Sequence, residues 1–459
     1  MHEIVFDRDV MMAERQGAIP EAPAGRLVLA RQLGHRLAEG DLSAFEFVKV
    51  TTERVGSIGW LEDRQARENL VGIGEKLVAD GRVDDAVWIV PTLRSDPDPG
   101  LDSSLHQGLL QGVDARIITS VRGRLCWLMA KIVATNEHRY YALLVDIVEE
   151  YLRGENLYVR VQAAGPLEAL MARTRARKRQ DGSAFDWPDE ERARVRRITV
   201  EALRSNAGYS RVVEALLRVF NQPRDLNEEE AHLLLTVGLA TRHPDVLHDL
   251  ALYLVQYALF RHRQCPEAGA FDRSRFVELL REQVATGEPA MKSSLMWHFL
   301  KILETNQLPY EELREFVDIW LGQPFESGME HSLGLVFREI ARRNGEEAIR
   351  IATAELDRIE RYLDGGGRPD IWIPWVDEIP PLFAERPDEL MRMATQLAGL
   401  WHKGVFVAEV TNLAHAYRFI RDPVKKAEIR QQLRAVYEAM RAVAPRLPAL
   451  EENESPTPS

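Results

Sequence analysis

His262-Arg263-Gln264-Cys265 is the nearest thing in this sequence to a metal-ligand pair. A structural zinc needs four donors, usually supplied as two such pairs. No second pair lies nearby. His243 and His248 are five residues apart, a spacing that turns their rings onto different faces of a helix. The sequence therefore predicts no metal site. The other thiol, Cys126, lies beside an apolar helix face, which predicts a buried, inert sulfur rather than an activated nucleophile held near a base. Gly72-Ile73-Gly74-Glu75-Lys76 and Gly365-Gly366-Gly367 carry the glycine needed to cradle a phosphate. Neither follows a strand, so neither is a dinucleotide or Walker loop, and both are taken as flexible backbone. No catalytic residue and no cofactor emerge from these patterns.

Two features suit binding better than catalysis. Arg173, Arg175, Arg177, Lys178 and Arg179 form a basic run that would suit phosphates of a nucleic acid. The plainer reading is cations placed against the negative end of a helix dipole, with Asp186, Asp189, Glu190 and Glu191 close behind to neutralise them. Ile371-Trp372-Ile373-Pro374-Trp375 is the least ordinary stretch, and Asp370 precedes it. Aromatic residues anchor interfaces, so Trp372, Trp375 and Asp370 are the candidate contacts for a protein partner. The competing reading is that both tryptophans pack over an irregular joint.

Helical periodicity dominates the remainder, with apolar residues recurring at i, i+3, i+4 and i+7. No run of alternating β-branched residues bounded by turns stands against it. Ser43-Ala44-Phe45-Glu46 has capping-box spacing, Pro91 should curtail or kink its helix, and Gly154, Gly208, Gly287 and Gly404 fall at helix boundaries. In residues 156–173, Val159, Val161, Ala163, Ala164, Leu167, Leu170 and Met171 make one apolar face, and the two alanines admit a close neighbour. This resembles the second helix of a HEAT repeat, with residues 138–153 as its first. Paired helices recur loosely at roughly 35 to 50 residues. One amphipathic hairpin cannot bury its apolar face alone, but a stack of them can. The expected fold is an all-α solenoid of stacked antiparallel hairpins. The polar loop 178–189 divides a subarray at 1–177 from a second at 190–444, and 445–459 reads as a disordered tail.

The sequence has 59 basic against 71 acidic residues, a net charge of −12, which disfavours nucleic acid as a default partner. Two distant cysteines exclude a disulfide framework and fit a reducing compartment. Residues 1–9 lack the pattern of a signal peptide, and no stretch is apolar enough to span a membrane. A cytoplasmic protein is expected.

Within residues 114–170, Ile117-Ile118-Thr119-Ser120-Val121-Arg122-Gly123-Arg124 runs into a helix, and the helix carrying Val159-Arg160 and Ala163-Ala164 follows. This stretch resembles the helical-repeat regions C-terminal to the nucleotide-binding modules of large bacterial signal-transduction NTPases, some of them implicated in antiviral defence. The chain has no Walker motif. The resemblance thus implies a sensing or scaffolding part and carries over no functional residue. Three functions remain open. The first is a non-catalytic interaction scaffold with a protein partner. A nucleic-acid-binding solenoid and an enzyme on an all-α scaffold are the alternatives.

Overall fold

Short polar side chains begin many of the helices. Asp41, Asp63, Ser120, Asn227, Asp272, Asn344 and Asp422 each accept a hydrogen bond from a backbone N–H of the first turn. At Asn227 the cap is reciprocal, with Glu230 reaching back to the Asn227 amide. The box expected at Ser43 is not the cap of its helix, which starts one residue earlier, at Leu42. The Asp41 carboxylate is the stronger acceptor. Hydrogen bonds from Ser43 and Arg36 hold its pKa down at about 2, so it stays ionised at the helix start.

The computed structural model describes residues 19–110, 120–135, 138–175, 189–220, 226–260, 272–325, 330–373, 375–378, 380–384, 386–407, 410–444 and 447. It is an all-α repeat fold. Its contacts divide it into two units, Met1–Val246 and Leu247–Ser459. The loop 178–189 lies outside the described residues except for Asp189, which opens a helix.

In the first unit the helices alternate between two rows. One row holds α1 (Pro23–Ala38), α3 (Arg64–Ala79), α6 (Val121–Ala134), α8 (Leu157–Arg175) and α10 (Ser210–Val219). The other holds α2 (Leu42–Val55), α4 (Val83–Leu93), α7 (Tyr141–Arg153), α9 (Asp189–Ser205) and α11 (Glu228–Ala240). A short α5 (Ser104–Leu110) is inserted before α6, and α12 (Pro244–Val255) crosses the division between units. Pro91 does not end α4, which runs on to Leu93.

Polar contacts between successive hairpins mark the repeat length. Lys49 pairs with Asp85 and Arg26 with Glu62, each 36 residues apart. Lys131 and Glu75 are 56 apart, Arg194 and Asp146 48, and Arg211 and Asp245 34. The longer steps contain the insertion around α5 and the 178–189 loop. Extra chain enters at the connections and leaves the row-to-row contacts intact, as an array built from nearest-neighbour interfaces allows.

Glycine sets the spacing of the first row. A Cβ at Gly34 of α1 would lie 2.9 Å from the Ala66 Cα of α3. One at Gly74 of α3 would lie 2.7 Å from Leu128 of α6, and one at Gly123 of α6 would lie 2.9 Å from the Tyr158 ring of α8. Gly72 and Gly74, which lie in an amphipathic helix pattern, are helical, and Gly74 serves close packing and not flexible backbone. The helices of this row touch along their lengths, while those of the other row touch more sparsely.

The insertion is pinned to α8. Buried Asn156 donates to the Pro99 and Gly100 carbonyls and accepts from the Val159 amide. The His106 Nδ1 accepts from the Leu157 amide at 3.0 Å. Arg122 still donates to the Pro99 carbonyl and Ser103 to the Gly100 carbonyl, so Asn156→Ala removes a cap and two tethers, and a loss of about 1–2 kcal/mol is expected in chemical denaturation.

In the second unit α13 (Arg273–Thr286), α15 (Glu311–Leu321) and α17 (Gly345–Asp364) form one row, and α14 (Pro289–Glu304) packs on α16 (Glu330–Ala341) in the other. The alternation then breaks. Pro369, Pro374, Pro380 and Pro381 forbid a regular helix through the next stretch. In its place come a short strand β1 (Trp372–Ile373) and 3₁₀ turns at Val376–Glu378 and Pro380–Ala384. After α18 (Pro387–His402) the chain returns as β2 (Phe406–Val407), parallel to β1, with Trp372 opposite Phe406. α19 (Val410–Ala414) and α20 (Pro423–Val443) complete the unit, with α20 packed on α18.

Candidate functional site

α3, α6, α8 and α10 approach one another closely along their row. A groove of about 870 Å³ lies along this face. Small residues make its floor, among them Ala130 of α6, Gly165 of α8 and Ala215 of α10. From this floor rises Trp127, 64% exposed. Within residues 121–129 the sequence singles out Cys126 and passes over this residue, whose indole is exposed.

Pro166 lies inside α8 and lines the groove. It has no amide hydrogen to give the Gln162 carbonyl one turn earlier, so that acceptor loses its helical partner. Gln162 also lines the groove. The cations at the rim are already matched. Lys131 pairs with Glu75, Arg218 lies 3.1 Å from Glu214, and Arg211 lies 2.7 Å from Glu214 and 2.8 Å from Asp245. Arg124 lies 3.6 Å from the buried Glu68 carboxylate. Exposed Glu168 has no ionic partner among the described residues. Under the floor, burial pushes the Cys126 thiol far up, which keeps it protonated and inert. Among the described residues no group of three or more His, Cys, Asp or Glu is placed to hold a metal ion. The arrangement offers contact surface, a π-face and acceptors, and no nucleophile or acid–base pair.

A second cavity, of about 650 Å³, lies in the second unit beside Arg314, Glu347, Arg350 and Arg386. Its charged groups satisfy one another. Glu347 accepts from Tyr310 at 2.8 Å and from Arg350, and Arg350 also reaches Asp318. Burial, together with the Glu347 carboxylate, pushes the Tyr310 phenol well above its ordinary range, so it stays a donor. This network holds α15 to α17.

The residues singled out in the sequence are dispersed. Trp375 is 4% exposed, its ring 4.8 Å from that of Phe337, so it packs in the core of the second unit. Trp372 lies in β1, and Asp370 just before it is exposed. Arg173 donates to the Ala134 carbonyl at 2.8 Å, which ties the end of α8 to the end of α6. Arg175 is the last residue of α8. Arg177, Lys178, Arg179, His262 and Cys265 lie outside the described residues. Among the described residues no helix is long and apolar enough to cross a membrane.

A signal for Trp127 was present in the chain, 170 residues downstream. Leu125, Trp127, Lys131, Ile132, Thr135 and Asn136 recur in the same spacing as Leu295, Trp297, Lys301, Ile302, Thr305 and Asn306. Both tryptophans are exposed, on α6 and on α14, Trp297 by 43%. The repeat also isolates His298, which stands where fully buried Leu128 stands in α6. Its Nε2 is buried and has no hydrogen-bond partner among the described residues, while His248, nearby, meets the Ser294 hydroxyl at 2.8 Å. Burial, helped by the His248 ring, holds the His298 imidazole down at about 4. An unfolded histidine titrates near ~6.5. Above that pH the imidazole is neutral in both states. Below it the unfolded chain gains a proton that the fold refuses, so stability falls between about pH 6.5 and 4. His298→Leu should remove about 2–3 kcal/mol of that fall, partial solvent screening allowed for. Melting curves of both proteins at neutral and mildly acidic pH measure it.

No protein-family model matches this sequence, and no curated protein does. Among solved structures, a circular tandem repeat protein with novel repeat topology and enhanced subunit contact surfaces is similar at 15% identity. The likeness covers 95% of this chain and 88% of that one, with a TM-score of 0.20.

Proposed function

We propose that this chain is a non-catalytic interaction scaffold that binds a partner protein in the groove of its first unit. The observation that carries the reading is Trp127, a large exposed aromatic standing over a floor of small side chains. Exposed indoles with apolar surroundings are the usual energetic centres of protein interfaces. The paired cations at the rim argue against phosphate as the ligand, and the inert thiol beneath the floor argues against covalent chemistry. A sensing or scaffolding role is also what the resemblance to the repeat regions of signal-transduction NTPases implies. In the second unit, exposed Asp370 beside β1 is a further candidate contact.

Trp127→Ala tests the reading. The tagged protein is recovered from its native host after nuclease treatment at moderate salt. A stoichiometric partner should accompany the wild type and be lost from the variant, with affinity reduced at least ~30-fold, the scale of an interface hot spot. Thermal stability should stay within about 0.5 kcal/mol, because the side chain is exposed. Equal recovery of the partner by both proteins would rule the groove out.

A further inference from the structure

The internal repeat shows a cation seated on the tryptophan equivalent to Trp127, even with a carboxylate, that of Glu304, 2.6 Å from it. In α14 the Lys301 ammonium lies 4.6 Å from the centre of the Trp297 ring, a cation held over a π-face. In α6 the equivalent Lys131 is drawn away to Glu75 of α3. Trp127 is left open, and no cation covers it among the described residues. Two acceptors around it are unused, beside one buried donor, the Arg211 Nε. The Gln162 carbonyl lacks its helical donor because of Pro166, and Glu168 lacks a cation. The rim cations are engaged with carboxylates.

We propose that the groove receives a basic segment of the partner protein, with an arginine or lysine head group seated on Trp127 where Lys301 sits on Trp297. The carbonyl of Gln162 and the carboxylate of Glu168 accept its N–H groups. The chain's net charge of −12 favours such a ligand at long range. This ligand assignment rests on the groove being the partner site. Glu75 has a second role in it, since by holding Lys131 it keeps the chain's own cation off the indole.

The test uses the full chain and a fluorescein-labelled nonapeptide of alternating arginine and serine, read by anisotropy. Counterparts carrying lysine, citrulline or glutamate in place of arginine complete the set. Arginine and lysine peptides should bind, and citrulline and glutamate peptides should not. Trp127→Ala and Glu168→Gln should each weaken binding about five- to tenfold, the range of a partly desolvated cation–π contact or charge-assisted hydrogen bond. Trp297→Ala should leave it unchanged. Glu75→Gln should weaken it by freeing Lys131 to cover the ring, and Glu75→Gln with Lys131→Ala should restore it. Equal binding by wild type and Trp127→Ala would overturn the proposal, as would a double variant no better than Glu75→Gln alone. Loss of partner capture in Trp127→Ala without any dependence of peptide binding on Trp127 would reject the cationic ligand and keep the groove. Unchanged capture would reject the groove itself.

Discussion

Arg358→Met lowers the stability of the second unit by about 3–5 kcal/mol, the largest effect expected of a single substitution in this chain. Arg358 and Glu355 are both buried, one turn apart on α17, and form an ion pair. The guanidinium also donates to the Gln323 carbonyl at 2.9 Å and to the Pro324 carbonyl at 3.2 Å, 35 and 34 residues away, and so fastens α17 to the chain just after α15. Removing the arginine leaves a carboxylate buried without a counter-charge and two carbonyls without a donor. The Arg358→Met, Glu355→Met double variant separates these terms. With the lone charge gone, the loss should shrink to about 1–3 kcal/mol, the cost of the stranded carbonyls. Urea titrations of the wild type and both variants give the three values. A double variant as unstable as the single one would show that the carbonyl contacts, and not the charge, dominate.

Gly34→Val is the counterpart in the first unit. A Cβ at this position meets the Ala66 Cα and Cβ, both at 2.9 Å, and the backbone of α3 cannot rotate aside as a side-chain tip can. The Asn69 side chain also donates to the Gly34 carbonyl at 2.9 Å, which fixes the two helices at this distance. Forcing them apart should destabilise the unit by about 1–3 kcal/mol, with the added helix propensity of valine recovering only a fraction. Ala66→Gly should rescue it in part, because the Ala66 Cα remains in the way. Urea denaturation again supplies the measurement, and full stability in Gly34→Val would refute this account of the row.

The elements themselves were plain in the sequence because their signals are local. The 3.6-residue apolar period marks α11 and α15, and Asn227 caps the first of them. At Ser43 two potential caps stood two residues apart, and only the arrangement of Arg36 and Ser43 around Asp41 decides between them. The alternation of rows is not local. It depends on which glycine faces which neighbour, and Gly34, Gly74 and Gly123 carry no mark in the sequence that separates a packing glycine from a hinge. The site was harder still. Trp375 stood out because its surroundings are irregular, and irregularity proved to be a packed joint against Phe337. Trp127 looked ordinary because leucine and methionine surround it, and burial of those neighbours is what turns the indole outward. Only the recurrence of its whole helix around Trp297 distinguishes it within the sequence.

The clasp of Asn156 and His106 changes how the first unit comes apart. In an ideal repeat array each hairpin answers only to its neighbours, and the ends can peel away one hairpin at a time. Here the first turn of α8 is held by groups 51 to 57 residues upstream. That span encloses α6 and α7, so peeling from either side must release the inserted segment, both of those helices and the start of α8 in one event. The stretch between them is a single cooperative block inside an otherwise divisible stack. The two helices that present Trp127 and Gln162 belong to it, so the groove is mounted on the segment of the array least able to loosen piecemeal. A partner that docks there meets a surface whose ordering is complete before binding begins.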